Sequence, residues 1–99
     1  MRKRFVIAIN SNRYLESDDL IAYFKNKGYA WWSWIDGFWL VVDPFGSETP
    51  NSLRVALSDL RPNIRMFVME VTGDEELWAG FGPTGSENDM FDWVRKNWK

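Results

Sequence analysis

Apolar residues recur at strand spacing in four parts of the 99-residue chain. Residues 4–10 and 64–71 are rich in β-branched and aromatic side chains, which is typical of strands. Residues 30–35 and 38–43 predict two further strands on either side of Asp36-Gly37. This dipeptide is a strong hairpin signal and predicts a two-residue type I′ turn, so these two strands should pair antiparallel.

Three helices are predicted from apolar residues at helical spacing and from their capping residues. The first has Ser17 as its N-cap and ends at Gly28. The second begins after Thr49 and ends before Pro62. The third follows Ser86 as its N-cap. The apolar stripe of this last helix consists of Phe91, Val94 and Trp98.

The order of the elements predicts the fold class. Residues 77–82 add a short fifth strand, whose two glycines indicate a sheet edge or a bulge. The chain therefore reads β-α-β-β-α-β with a C-terminal short strand and helix, in one domain over residues 1–99. That order predicts an α+β fold of the ferredoxin-like, split β-α-β type. Both main helices then cover one face of an antiparallel sheet, and the other face is left open.

The hairpin register assigns each of its side chains to one of these faces. A two-residue loop places Trp34 opposite Trp39, and opposed residues share a face. The face under the helices then carries Trp31, Ser33, Ile35, Phe38, Leu40 and Val42. The open face carries Trp32, Trp34, Trp39 and Val41 as a predicted dimer or ligand interface. If each of the three tryptophan rings shields about half of its neighbours' surface, together they expose on the order of 300 Å². This area is close to that of the largest exposed apolar patch on a typical monomer.

Three kinds of cover for this open face stay in competition. A second copy could pack sheet to sheet, because symmetric dimers are the commonest oligomers, and we expect this homodimer. The last helix could instead fold across the sheet with Trp93 or Trp98. RNA bases could stack on the rings, although no pattern of lysine and arginine interleaves with the tryptophans.

Composition removes several classes of chemistry. The chain has no cysteine, which excludes disulfides and thiolate chemistry and permits the reducing cytoplasm, where we expect the protein. It has no histidine, the usual general base and the commonest metal ligand. Its formal charge of -2 lacks the basic excess of a dedicated DNA binder. No stretch approaches the ~20 apolar residues of a membrane span, so we expect no membrane association.

One polar loop is a candidate anion site. Asn10, Ser11, Asn12 and Arg13 lead towards a helix N-terminus, where backbone amides and the guanidinium could hold a phosphate or a carboxylate. An ordinary turn rich in asparagine and serine explains the same residues. No catalytic triad, phosphate-binding loop or zinc spacing occurs, so we predict no catalytic residue, no metal ligand and no cofactor.

Four runs of sequence resemble a family of small bacterial proteins of uncharacterised role. These runs are "WWSWIDGFWLVV", "VMEVTGD", "LWAGFG" and "FDWVRKNW". The resemblance covers most of residues 5–98. It implies a branch of the ferredoxin-like fold of the smaller CRISPR spacer-acquisition protein, which is endoribonuclease-like and which some toxin-antitoxin nucleases share. Such proteins are homodimers whose sheets face each other, which agrees with the expected dimer.

The resemblance also bears on catalysis. In that superfamily an aspartate at the end of the first strand binds a divalent cation for phosphodiester hydrolysis. This chain has Asn10 there, and a neutral amide binds Mg²⁺ poorly compared with a carboxylate. We therefore expect a non-catalytic homodimeric binding protein whose ligand is a protein, an RNA or a small nucleotide. The alternatives are a Mg²⁺-dependent nuclease of the same fold, and an antitoxin or inhibitor that binds one partner protein.

Overall fold

The computed structural model describes residues 1–10, 18–73, 78–85 and 89–98. Its elements are β1 Lys3–Ile9, α1 Asp18–Lys27, β2 Ala30–Ile35, β3 Phe38–Asp43, α2 Pro50–Leu60, β4 Met66–Val71 and α3 Asp92–Asn97. The strands form one antiparallel sheet in the order β2-β3-β1-β4. The predicted α+β class and the order β-α-β-β-α-β are confirmed, and this is the split β-α-β arrangement. No helix in the described ranges has the length and apolar character needed to cross a bilayer.

Helix α1 ends where the sequence predicts, at Gly28, which has a left-handed φ of 76°. The Gly28 amide donates to the Lys25 carbonyl, and the Tyr29 amide donates to the Phe24 carbonyl. These are the two hydrogen bonds of a Schellman motif. Phe24 and Tyr29 both pack in the same core, so the helix stop also directs the chain into β2.

Helix α2 begins with a reciprocal capping box. The Thr49 hydroxyl accepts from the Ser52 amide, and the Ser52 hydroxyl accepts from the Thr49 amide. Pro50 occupies the first turn, where its missing N–H costs nothing. The helix ends at Leu60, before Pro62, as predicted. The other predicted caps, Ser17 and Ser86, lie outside the described residues.

The main core fills the space between the two long helices and the sheet face beneath them, which we call the helix face. Its buried residues are Phe5, Ile7, Ile9, Leu20, Phe24, Tyr29, Trp39, Val41, Leu53 and Leu57. The opposite side of the sheet, which the sequence left open, is called the second face below.

The hairpin turn differs from the predicted type I′ turn. Type I′ requires positive φ at both central residues, but among the described positions only Gly37 of this pair has it, at 73°. Ile35 and Phe38 remain paired across the turn. A turn of the other hand does not follow the natural strand twist, and an irregularity in the ladder commonly accompanies it.

That irregularity is a β-bulge in β2. Trp32 pairs with Leu40 rather than with Val41, so Ser33 and Trp34 together oppose one residue of β3. The Ser33 hydroxyl donates to the Phe38 carbonyl at 3.0 Å, which supports the distorted ladder. Because strand side chains alternate with a period of two, one extra residue exchanges the faces of everything beyond it.

The predicted faces of β3 are therefore wrong. Trp39 and Val41 lie on the helix face and are buried, whereas they were expected on the open face. Leu40 and Val42 lie on the second face, whereas they were expected under the helices. On β2 the predicted faces are confirmed near the start of the strand, since Trp31 packs on the helix-face core and Trp32 on the second face.

The predicted fifth strand is wrong over its described part, because residues 78–82 adopt no strand. Gly80 lies so close to Phe91, and Gly82 so close to Met90, that an added Cβ would overlap these side chains. Because glycine has no side chain, the backbone of this segment can pack directly against Phe91 and Met90. The segment therefore lies on the C-terminal residues and does not pair with a sheet edge.

A buried ion pair joins the two long helices. Arg61, at the end of α2, donates two hydrogen bonds to the Asp19 carboxylate at 2.9 and 3.0 Å. The guanidinium is almost fully buried and the carboxylate partly buried. Hydrogen bonding from Arg61 is the main reason that the pKa of Asp19 lies below its usual range.

We expect Asp19→Asn to destabilise the fold by about 1–3 kcal/mol at neutral pH, because a neutral amide replaces the carboxylate that accepts two hydrogen bonds from a buried guanidinium. Asp18→Asn, at the exposed neighbouring position, is the control and should cost no more than about 1 kcal/mol. The folded pKa of Asp19 is lowered, so its contribution is complete above the unfolded pKa of about 3.9 and disappears as the pH falls through the folded value. Urea unfolding across this pH range measures it, and a wild-type advantage that persists unchanged in acid would contradict it.

Candidate binding cleft

The end of the chain folds back over the second face of the sheet. Met90, Phe91, Val94 and Trp98, which we call the C-terminal cover, pack there against Trp32, Leu40 and Val42. The indole N–H of Trp32 donates to the Met90 carbonyl at 2.6 Å, which fixes the start of the cover. The predicted stripe of Phe91, Val94 and Trp98 is confirmed as buried. Of the three covers considered from the sequence, the last helix occupies this part of the face.

Arg4 fixes the other end of the cover. Its side chain is buried, and the guanidinium lies 5.5 Å from the centroid of the Trp98 ring. It also donates to the carbonyls of Gly73 and Trp98. A cation over the face of tryptophan is held by the ring quadrupole, and the two carbonyls satisfy part of its donor capacity. Arg4 therefore has a structural role here.

A cleft of about 400 Å³ remains between the second face and the C-terminal cover. Fourteen of the described residues line it: Val6, Trp32, Ile35, Phe38, Leu40, Val71, Trp78, Ala79, Gly80, Phe81, Met90, Phe91, Val94 and Trp98. None carries a charge, and most are apolar or aromatic. The volume and the lining resemble those of sites that accommodate an apolar ligand.

The rim of the cleft is apolar and exposed to solvent. Phe81 is 99% exposed and Ile35 is 50% exposed. The sheet register places Ile35, Phe38, Ala8 and Phe67 in one row across the strands. Ile35 and Phe38 line the cleft, and Ala8 and Phe67 lie beyond it. This row extends from the cleft to the far edge of the sheet, where Phe67 is also exposed. The C-terminal cover thus protects only part of the second face.

The predicted interface of Trp32, Trp34, Trp39 and Val41 does not form one surface, because the β-bulge separates its members. Trp32 lies beneath the C-terminal cover and contributes to the cleft. Trp34 sits on the bulge and is about half exposed. Trp39 and Val41 face the helices. The sequence contained no sign of the bulge, since Asp-Gly is compatible with turns of either hand.

The cleft residues that the sequence prediction missed come from the segment after β4. Trp78 and Phe81 were assigned to a strand, yet they line the cleft, and Trp78 contacts Phe91 with ring centroids 5.6 Å apart. A usable signal was present in the alternation of aromatic residues with Gly80 and Gly82. Glycines between aromatic side chains indicate close approach of the backbone to another element.

The predicted anion-binding loop is described only at its first residue. Asn10 is exposed at the end of β1, and its backbone N–H donates to the Arg65 carbonyl at 3.0 Å. It borders a shallow depression that Asp36 and Arg65 also line. Ser11, Asn12 and Arg13 lie outside the described residues, so this site stays a prediction.

The most buried carboxylate is used to shape a loop. Asp43 accepts from the amides of Phe45 and Glu48, each at 2.9 Å. Glu48 in turn accepts from the hydroxyls of Tyr29 and Ser52, both at 2.6 Å. Burial, followed by the hydrogen bond to Glu48, raises the pKa of Tyr29 well above its usual range. This phenol stays protonated at neutral pH, which makes it a poor base or nucleophile.

A metal centre has no support from the part of the chain that the structure describes. No three acidic side chains in these ranges come together in a way that could hold a cation.

No family model matches the sequence, and no curated protein or solved structure matches it either.

We expect Trp32→Phe to loosen the C-terminal cover, because it keeps an aromatic ring but removes the hydrogen bond to Met90. The free energy of unfolding should fall by about 1–3 kcal/mol, since the buried carbonyl of Met90 is left without its donor. Limited proteolysis should then cut within residues 89–98 at lower protease concentration than in the wild type. Trp31→Phe, on the helix face, is the matched control. Identical cleavage in the two variants would show that the hydrogen bond does not hold the cover.

Proposed function

We propose that the protein is a non-catalytic binding module that captures an apolar segment of a partner protein in the cleft. The observation that carries the proposal is a cleft of about 400 Å³ between the second face and the C-terminal cover, in which none of the described lining residues carries a charge. Burial of apolar surface is the main driving force available there, at roughly 25 cal/mol for each Å² removed from water.

The lining distinguishes among the ligand classes that the sequence left open. RNA and small nucleotides carry phosphates, which require basic side chains or clustered amides nearby. Arg4, whose guanidinium lies over the ring of the cleft residue Trp98, already binds that ring and two backbone carbonyls. The aromatic side chains could stack on a base, but nothing in the lining would neutralise its phosphate. A protein segment with uncharged anchor side chains fits this chemistry better.

The rim favours a protein over a small molecule. A small ligand would fill the cleft and leave Phe81 and Ile35 in water, whereas a protein partner would cover them together with its own surface. Exposed apolar side chains around an apolar depression are typical of protein-binding surfaces. The expected antitoxin or inhibitor role, with one partner protein, is one form of this activity. No contact among the described residues favours the nuclease alternative.

Binding can be tested with a neutral environment-sensitive dye, N-phenyl-1-naphthylamine, whose emission rises in apolar surroundings. We expect saturable binding and displacement by a short peptide that carries phenylalanine and leucine anchors. The same peptide with alanine anchors should not displace the dye. Because the described lining of the cleft is uncharged, the affinity should change little between low and high salt. Displacement by a uridine homopolymer or by ATP, weakened by salt, would instead identify a nucleic-acid or nucleotide site and refute the proposal.

Phe81→Ser should weaken dye and peptide binding at least about tenfold, because burying a phenylalanine ring contributes about 1.5–3 kcal/mol. The ring is exposed, so the substitution should leave the stability unchanged. Phe45→Ser is the matched control, since Phe45 is also largely exposed and does not line the cleft. Equal affinities for the two variants would place the binding site elsewhere.

A further inference from the structure

Strand β4 forms one edge of the sheet, and the hydrogen-bond pattern shows which of its backbone groups point outward. Asn10 and Arg65 are bonded across the β1–β4 ladder. The preceding residue, Ile9, donates in the other direction, to the Gly37 carbonyl. Bonded and non-bonded pairs alternate in an antiparallel ladder. From this alternation, every second residue of β4 starting at Met66 turns its N–H and C=O away from β1.

The outward-turned residues are Met66, Val68 and Glu70. In the described part of the chain, they take part in no backbone hydrogen bond outside the sheet ladders. The strand reads MFVMEV and contains neither proline nor a basic residue. Proline, bulges and charged side chains, above all lysine, are the usual features that prevent an edge strand from pairing with another chain. Strand β4 contains one of them, the carboxylate of Glu70, and its pairing with β1 shows no bulge.

We propose that β4 pairs antiparallel with β4 of a second copy of this chain, across a two-fold axis at Val68. Centring the axis there pairs Val68 with the partner's Val68, and Met66 with the partner's Glu70. Each of the three outward-turned residues then uses both of its backbone groups, which gives six hydrogen bonds, two for each pair. This dimer joins edge to edge, in contrast to the sheet-to-sheet dimer expected from the sequence.

The side chains agree with this register. Phe67, which is 64% exposed, falls opposite the partner's Met69, and this contact occurs twice because of the symmetry. These are non-hydrogen-bonded positions, where opposed side chains approach most closely. Glu70, the only charge on the strand, meets a methionine and not its own copy. A second copy therefore fits this edge without a like-charge contact.

Sedimentation equilibrium tests the association. At high concentration we expect twice the mass of the 11.7 kDa chain. Phe67→Lys should raise the dimer dissociation constant at least tenfold, because it places a charge in an apolar contact. Phe45→Lys is the matched control, since Phe45 is 65% exposed and distant in sequence from β4. A wild-type chain that stays monomeric at high concentration, or equal masses for the two variants, would overturn the proposal.

Disulfide trapping tests the register, and the natural chain contributes no thiol of its own. Under oxidation, a mixture of the single variants Phe67→Cys and Met69→Cys should form the mixed dimer, because these positions are opposed across the axis. Dominant self-linking of Phe67→Cys would place the axis at Phe67 and refute the proposed register. Circular dichroism confirms that each variant is folded. Dye binding to the cleft by Phe67→Lys should be retained, so the dimer and the proposed function fail independently.

Discussion

The β-bulge at Ser33 and Trp34 determines which face of the sheet the later hairpin residues occupy. Because two residues of β2 oppose one residue of β3, Trp39 turns towards the helices and contacts Phe24, with ring centroids 5.5 Å apart. Leu40 turns to the other side, beside Trp32. A continuous register would remove Trp39 from the main core and place it in the cleft. Both layers of the protein therefore depend on this single extra residue.

Local sequence signals predicted most helices and strands, whereas contacts between residues distant in the chain determine the face assignments and the cleft. Helix α1 ends at Gly28 and helix α2 begins after Thr49, in both cases through hydrogen bonds between residues close in the chain. The local sequence was therefore sufficient to predict these helix ends. The turn at Asp36-Gly37 can be made with either hand, and no neighbour along the chain specifies which. The hydrogen bond from Trp32 to Met90 joins residues 58 positions apart, so no local sequence pattern predicts it. The candidate cleft could not be predicted for the same reason.

The buried polar groups are all engaged in holding the fold together. Asp43 accepts two loop amides, Arg61 pairs with Asp19, and Arg4 binds the end of the C-terminal cover. No buried side-chain nitrogen or oxygen in the described ranges lacks a hydrogen-bond partner. In the described part of the cleft the lining is apolar, so burial of apolar surface would supply the binding free energy of a ligand there.

The C-terminal cover gives the cleft its shape without filling it. Helix α3 has only six residues, and so short a helix is unstable unless tertiary contacts hold it. Two contacts do so at its ends, from Trp32 to Met90 and from Arg4 to Trp98. Between them Phe91 and Val94 pack on the sheet and also line the cleft, and Trp78 packs on Phe91 at its side. Contacts at both ends therefore hold the short helix on the sheet, and the cleft beside it stays accessible.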